Sequence, residues 1–292
     1  SARGYTIGAL LMVASMLCFA SMDACTKYFI HDYGVAQVLF VRMVVFTAFA
    51  ALLAYRRGGL RRALRSRRPW LQAGRAALAV VESAAFVLAF RYLPLADAHS
   101  VGASSPLFVV ALSAPLLGER VGRDRWLAVL AGFAGVLLII RPGFTNLNLA
   151  LLLPLAGAFM WGLFQILLRL CSRTDSNETT LLWSAGVGLV LTSFVGLPGW
   201  TPPTGLAWVL LAAIAALSCL GSLALTLSMA ATEAAATQPY SYTLLLWVTV
   251  LGVVVFGDVP DRWTVAGGAI VVASGLYAWH RERVMRSAAA RA

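Results

Sequence analysis

Long apolar runs separated by short polar breaks dominate the chain, and the runs contain none of the strict alternation of a half-buried strand. Ten of them are predicted to be helices: Tyr5 to Tyr28, Val35 to Tyr55, Trp70 to Arg91, Ala96 to Leu117, Trp126 to Ile140, Leu147 to Ser172, Thr179 to Leu197, Leu206 to Ala230, Ala234 to Phe256 and Trp263 to His280. Their lengths, 15 to 26 residues, suit helices crossing a hydrocarbon core, not the segments of about ten residues that build an outer-membrane barrel. The breaks carry Gly34, Pro69, Pro94, Gly118, Pro142-Gly143, Pro198-Gly199 and Pro260, residues that stop helices.

The pattern repeats at half length. Ala96 to Trp126 runs through hydroxyl-bearing apolar sequence to Gly118-Glu119 and restarts at Arg125-Trp126; Ala235 to Trp263 does the same through Gly257-Asp258 to Arg262-Trp263. A duplicated unit is expected, residues 1–143 holding five spans and 144–292 the other five. Five is odd, so the second unit starts on the opposite side of the membrane and the repeats are inverted. A weaker match aligns Ala14 to Lys27 with Ala156 to Arg169, setting Asp23 opposite Gln165 and Lys27 opposite Arg169.

Composition agrees with a membrane class: 60% hydrophobic, 12% charged and a mean hydropathy of +0.82. The net charge of +11 is placed as lipid headgroups and membrane orientation require, and no nucleic-acid motif accompanies it. With an interior amino terminus, most of the 23 basic residues fall on the cytoplasmic side, including the segment Arg56 to Arg68, which reads as a topology determinant touching anionic lipid. Lys27, Arg91, Arg141 and Arg262 fall outside, and Arg42 and Arg75 lie within spans. Both termini are therefore expected in the cytoplasm of a bacterial inner-membrane protein. The first run, with Asp23 and Lys27 at its end and no small-residue cleavage site, reads as a span and not as a leader. The four cysteines lack metal spacing and read as small packing residues.

The fourth span closing as PLLGERVGRDRW, the Gly-rich fifth ending LLIIRPG, and the five-plus-five duplication resemble the EamA type of the drug/metabolite transporter superfamily. The second copy departs to Gly-Asp-Val-Pro after its helix. The resemblance covers nearly the whole chain. It implies an exporter of small metabolites, with aromatic and other amino acids as the expected cargo and drugs or other metabolites as the alternative. It also implies a monomer, with a homodimer as the alternative, whose partners are the cargo and the bilayer.

Ionisable groups inside spans are costly, at about 2.5 to 3.5 kcal/mol each on insertion scales, and so point to function. Glu82, on a face with Arg75, Ala79 and Phe86, reads as a cavity carboxylate for an ammonium group or a proton, or as a structural partner for a neighbouring hydroxyl or arginine. Asp23 and Lys27, one turn apart, are spaced for a helical ion pair that Arg42 joins, either fixing helix ends or forming an outer gate. His99 opens the fourth span and reads as a substrate or proton group, or as a solvated, hydrogen-bonded histidine; Pro106 is expected to kink the span and free carbonyls for a substrate or water. In the second unit, Trp161 and Gln165 share one face and Gln238 and Tyr242 another, with Tyr240 nearby; amide and ring together suit an amino acid. No metalloprotease, nucleophile-elbow, P-loop or metal pattern occurs, so neither an enzyme, a metal site nor a cofactor is expected, and a membrane enzyme or receptor is the rival class.

Overall fold

The computed structural model describes residues 2–56, 59–118, 122–141, 148–231 and 239–289. The described residues hold helices and connecting turns, with no strand. Helix α1 spans Ala2–Phe29, α2 Val35–Arg56, the one-turn α3 Leu60–Ala63, and α4 Pro69–Ala89, which starts with proline in its first turn, where the missing N–H costs nothing. Then come α5 (Leu95–Gly102), α6 (Ser105–Leu117), α7 (Arg123–Ile140) and α8 (Leu152–Ser172), the last preceded by a 3₁₀ turn at Leu149–Leu151. The chain continues as α9 (Asn177–Gly196), α10 (Gly205–Ala231), α11 (Thr243–Leu251) with a π-helical turn at Gly252–Phe256, and α12 (Arg262–Ala289).

Eight of these segments are long and apolar enough to cross a membrane, α5 with α6 and α11 with its π turn each counting as one. The two expected spans outside that set are both helical. Helix α7 opens on Arg123, Asp124 and Arg125, which leaves only fifteen of its 18 residues apolar in character, and α12 is interrupted by Gly, Tyr, Trp and His.

The fourth expected span is two helices. Pro106 has no N–H for the turn before it, and the break falls between Gly102 and Ser105; Ser104 Oγ donates to the Val101 carbonyl at 2.7 Å and satisfies one acceptor there. The glycines that mark the sequence repeat share one backbone conformation. Gly118 caps α6 at φ 67°, Gly257 caps the π turn at φ 71°, and both are left-handed, where a Cβ is penalised.

Packing runs mostly between the two halves. Helix α1 lies on α10 and α11, and α8 lies on α4 and α6; α2 pairs with α9, and α7 with α12. Numbering the ten expected spans in chain order, exchanging the halves turns each of these pairings into another of the set, while two-with-seven and five-with-ten map onto themselves. Side chains lock the α1–α10 pair at two levels: Ser15 Oγ, midway along α1, donates to the Gly221 carbonyl at 2.8 Å, and Ser228 Oγ to that of Gly8 at 2.6 Å.

Candidate functional site

Four charged or titratable groups from four helices converge inside the first half. His99 Nε2 on α5 lies 3.1 Å from Asp23 Oδ2 on α1, with side-chain exposures of 11% and 14%. The approach is off the line of an aligned hydrogen bond, so Nε2 has a close counter-charge and no hydrogen-bond acceptor. Arg42 on α2 feels both Asp23 and Glu82, and its Nε is buried with no hydrogen-bond partner. Glu82 on α4 accepts only from Ser83 Oγ, at 3.3 Å, among its described contacts. Two carboxylates, a guanidinium and an imidazole thus share one buried region with hydrogen-bonding capacity left unused.

The expected Asp23–Lys27 pair is corrected by the structure. Lys27 Nζ lies 2.6 Å from Asp258 Oδ2, donates to the Leu93 carbonyl at 3.1 Å and sits 4.8 Å from the Phe256 ring centre. The physical reason is reach: the long Lys27 side chain passes the end of α1 to the Gly257-capped turn, while Asp23, one turn deeper, meets His99. Sequence spacing shows pairs along a helix but not competitors on other helices. The π turn that presents Asp258 has no sequence signature.

Phe86 sits between the charged cluster and the second half. Its ring centre is 5.9 Å from that of His99, and Phe90 stacks on the same imidazole at 5.7 Å. A Cβ on Gly102 would stand 2.6 Å from Phe86 Cζ, and one on Gly157 of α8 would stand 2.5 Å from Cδ2. Two glycines, one from each half, therefore make room for this ring.

Trp161 is 39% exposed, yet it does not face outward. With about 100° of rotation per residue, Trp161 projects roughly 160° round α8 from Phe159, which with Leu152 marks the outer face. Gly157 packs on Phe86 of α4, and Gly162 packs on Phe108 and the Ser105 carbonyl of α6. Trp161 and Gln165 fall in the arc between those contacts, so the indole's exposure is to space inside the bundle. Trp161 stacks on Phe164 at 5.1 Å, and the Arg75 guanidinium lies 5.1 Å from the Phe164 ring. The Gly157–Phe86 and Phe164–Arg75 contacts bracket Trp161 on α8 and Glu82 on α4 at similar depth.

The remaining residues lie elsewhere. Tyr240 and Tyr5 share a hydrogen bond at 2.9 Å at the other end of α1 from Lys27. Tyr242 turns its hydroxyl against Gly275 of α12. Pro106 shapes the α5–α6 break. Gln238 lies outside the described residues.

Sequence reasoning missed a polar latch at the α3 end of the bundle. Asp175, between α8 and α9, accepts from Ser66 Oγ, from the Arg67 backbone N–H at 2.9 Å and from Gln72 Nε2 at 2.9 Å. Gln72 Oε1 in turn accepts from Arg75 Nη2 at 2.9 Å, and the same nitrogen donates to the Thr180 carbonyl and to Ser184 Oγ. Gln72 thereby relays a loop carboxylate to a guanidinium that is only 1% exposed. Burial alone would raise the Asp175 pKa, but these donors outweigh it and hold the carboxyl below its ordinary range. At the opposite end Arg141 pairs with Asp261.

These features define a helical membrane protein whose halves enclose polar and aromatic groups within the bilayer, the arrangement of a carrier. The model of the EamA-like transporter family matches twice, over residues 6–141 and 148–278, and the chain belongs to that family, within the drug/metabolite transporter superfamily. It is 30% identical over 273 residues to a riboflavin transporter of Vibrio cholerae, covering 91% of each chain. It is 28% identical over 267 residues to a pseudopaline exporter of Pseudomonas aeruginosa, covering 91% of this chain and 93% of that one. An S-adenosylmethionine uptake transporter of Rickettsia bellii is 24% identical over 292 residues, covering 96% of both. One crystal structure superposes with a TM-score of 0.65 over 95% of this chain at 20% identity, a likeness of fold. The chain is a multi-pass membrane transporter of small molecules.

Proposed function

We propose that the chain carries a small metabolite with a flat ring across a bacterial inner membrane by alternating access, the two family units rocking about a site between α4 and α8. Ten spans, α7 and α12 among them, form two inverted units, residues 1–143 and 144–292, with both termini in the cytoplasm. Support comes from the double family match, the exchange-symmetric packing and the one-sided placement of arginine.

The observation that carries the cargo reading is the inward-facing Trp161, stacked on Phe164 beside Gln165 and level with Glu82. An indole face and an amide hold a planar heteroaromatic ring by stacking and hydrogen bonding. Riboflavin is the first cargo, because a riboflavin transporter is 30% identical over nearly the whole chain. Aromatic amino acids are the second, favoured by the opposed charges of Arg42 and Glu82, which match a carboxylate and an ammonium. Phe86, wedged between glycines, positions the site; Asp23 and His99 set its charge; Lys27 with Asp258 forms the outer gate. Tyr240 and Tyr242 act away from the cargo.

The test is flux of labelled riboflavin and labelled tryptophan into and out of liposomes holding the full chain, compared with empty liposomes. Saturable riboflavin flux that falls at least about tenfold in Trp161→Ala supports the first reading, and tryptophan flux with the same dependence supports the second. Flux of neither compound would overturn both. The same vesicles report the direction, export being expected.

A further inference from the structure

Beside the latch lies a basic segment with an unusual setting. The single turn of α3 is pinned by Ala63, which packs with Ala54 of α2 and Leu182 of α9, and by Trp183 Nε1 donating to the Leu64 carbonyl at 3.1 Å. Leu60 and Leu64 are exposed on the side of the turn next to Ala63, and Trp70, just beyond, is 89% exposed. Arg61 projects about 160° round from Ala63 and Arg62 about 100° the other way, and Arg65 follows just past the end of the turn. Arg61, Arg62, Arg65, Arg67 and Arg68 are all exposed. Between Gly59 and Trp70 the sequence contains no acidic residue. The neighbouring carboxylate, Asp175, is occupied by Ser66, the Arg67 N–H and Gln72.

An apolar edge beside a basic face, at the end of a membrane helix and with an exposed Trp at the same level, is the chemistry of a segment lying among lipid headgroups. Neutral lipid would accommodate the leucines and the indole but leave the arginine cluster without counter-charge; anionic headgroups satisfy both. Free anions lack the acyl chains that Leu60, Leu64 and Trp70 would meet. The segment also runs directly into the latch, since Ser66 and Arg67 are the residues that hold Asp175.

We infer that residues 60–68 form a binding site for anionic phospholipid headgroups, and that headgroups held there fasten the Asp175 latch between the two halves. Headgroup phosphates draw Arg61, Arg62 and Arg65 to the bilayer surface and restrict the backbone leading into Ser66 and Arg67. The latch then opens less often. This site is separate from the cargo site, and its occupancy does not depend on which cargo is carried.

The full chain in a neutral detergent is titrated with phosphatidylglycerol or, at equal amounts, phosphatidylcholine, and its thermal midpoint is followed. Phosphatidylglycerol is expected to raise the midpoint more, because a ligand of the folded state stabilises it. The Arg61→Gln/Arg62→Gln/Arg65→Gln variant is expected to lose most of that difference, while Arg123→Gln/Arg173→Gln keeps it. Hydrogen exchange at the Arg67 amide, which donates to Asp175, reads the latch: phosphatidylglycerol is expected to slow it by about tenfold in the native chain and to leave it unchanged in the triple variant. Should the triple variant not fold, Arg65→Gln alone must shrink the difference. Equal effects of the two lipids, equal loss in the control variant, or reproduction of the shift by inorganic phosphate would overturn the lipid site. Unchanged Arg67 exchange would overturn its link to the latch.

Discussion

Phe86 shows how one side chain ties three helices together. Its ring occupies the space that Cβ atoms at Gly102 and Gly157 would need, and it lies tilted against the His99 imidazole. Overpacking such a site costs about 1 to 3 kcal/mol, because neither the ring nor the helix backbone can yield freely. Gly157→Val is therefore expected to lower the thermal midpoint, and Gly157→Val with Phe86→Leu to recover much of the loss; chemical or thermal unfolding of the three proteins checks this. Recovery by the second substitution separates a steric cause from a change in helix propensity. Residue identity was legible where chemistry is rare in its setting: Glu82, Asp23, Arg42 and His99 stand out in any apolar run, and the structure brings all four together. Orientation was not legible. Trp161 and Tyr242 look equivalent as aromatic residues within spans, yet one faces the interior and the other packs on α12, because each direction depends on which neighbouring helix lies alongside.

At the scale of elements, the punctuation residues proved the most informative part of the sequence. Pro106 marks the α5–α6 break, and Gly118 and Gly257 mark caps of the same hand, since each of these positions has a backbone requirement that few residues meet. The π turn after α11 and the Asp175 latch were hidden for the opposite reason: ordinary residues build them through contacts distant in sequence. The latch makes a pH prediction. Because the folded state holds the Asp175 carboxyl below its unfolded pKa, the latch contributes stability that is full above the unfolded value and is lost as pH falls through the folded one. Thermal midpoints measured from about pH 6 down to about pH 3 are expected to fall more steeply in the native chain than in Asp175→Asn, because the unfolded carboxyl titrates near 3.9. Asp261, held low against its own burial by the Thr264 N–H and by Arg141, adds a second contribution of the same sign, which Asp261→Asn removes independently.

At the scale of the whole molecule, the helix pairings follow from the duplication, and the duplication was readable because the two copies kept the same stop signals. The pairing of α1 with α10, and of α8 with α4, was not readable, since α1 and α10 carry no amphipathic stripe, and the polar faces of α4 and α8 show which side turns inward but not which helix it meets. Lys27 and Asp258 join the two halves at one end, so their charges are expected to act together. Lys27→Asp and Asp258→Lys singly should each impair flux in liposomes, and the double exchange should restore a substantial part of it. Three variants with equal flux would remove the pair from the gating motion.

The Asp23, Arg42, Glu82 and His99 cluster also fixes how the carrier responds to membrane voltage. Its net charge is set by the protons it holds, since two carboxyl groups, one guanidinium and one imidazole share a buried region with hydrogen-bonding capacity unused. A unit charge displaced across the full field is worth about 2.3 kcal/mol per 100 mV, so whatever share of that field the cluster crosses during turnover biases the carrier in proportion to that net charge. With an uncharged cargo, flux of the native chain and of Glu82→Gln measured under clamped potentials reads how much of that charge Glu82 carries.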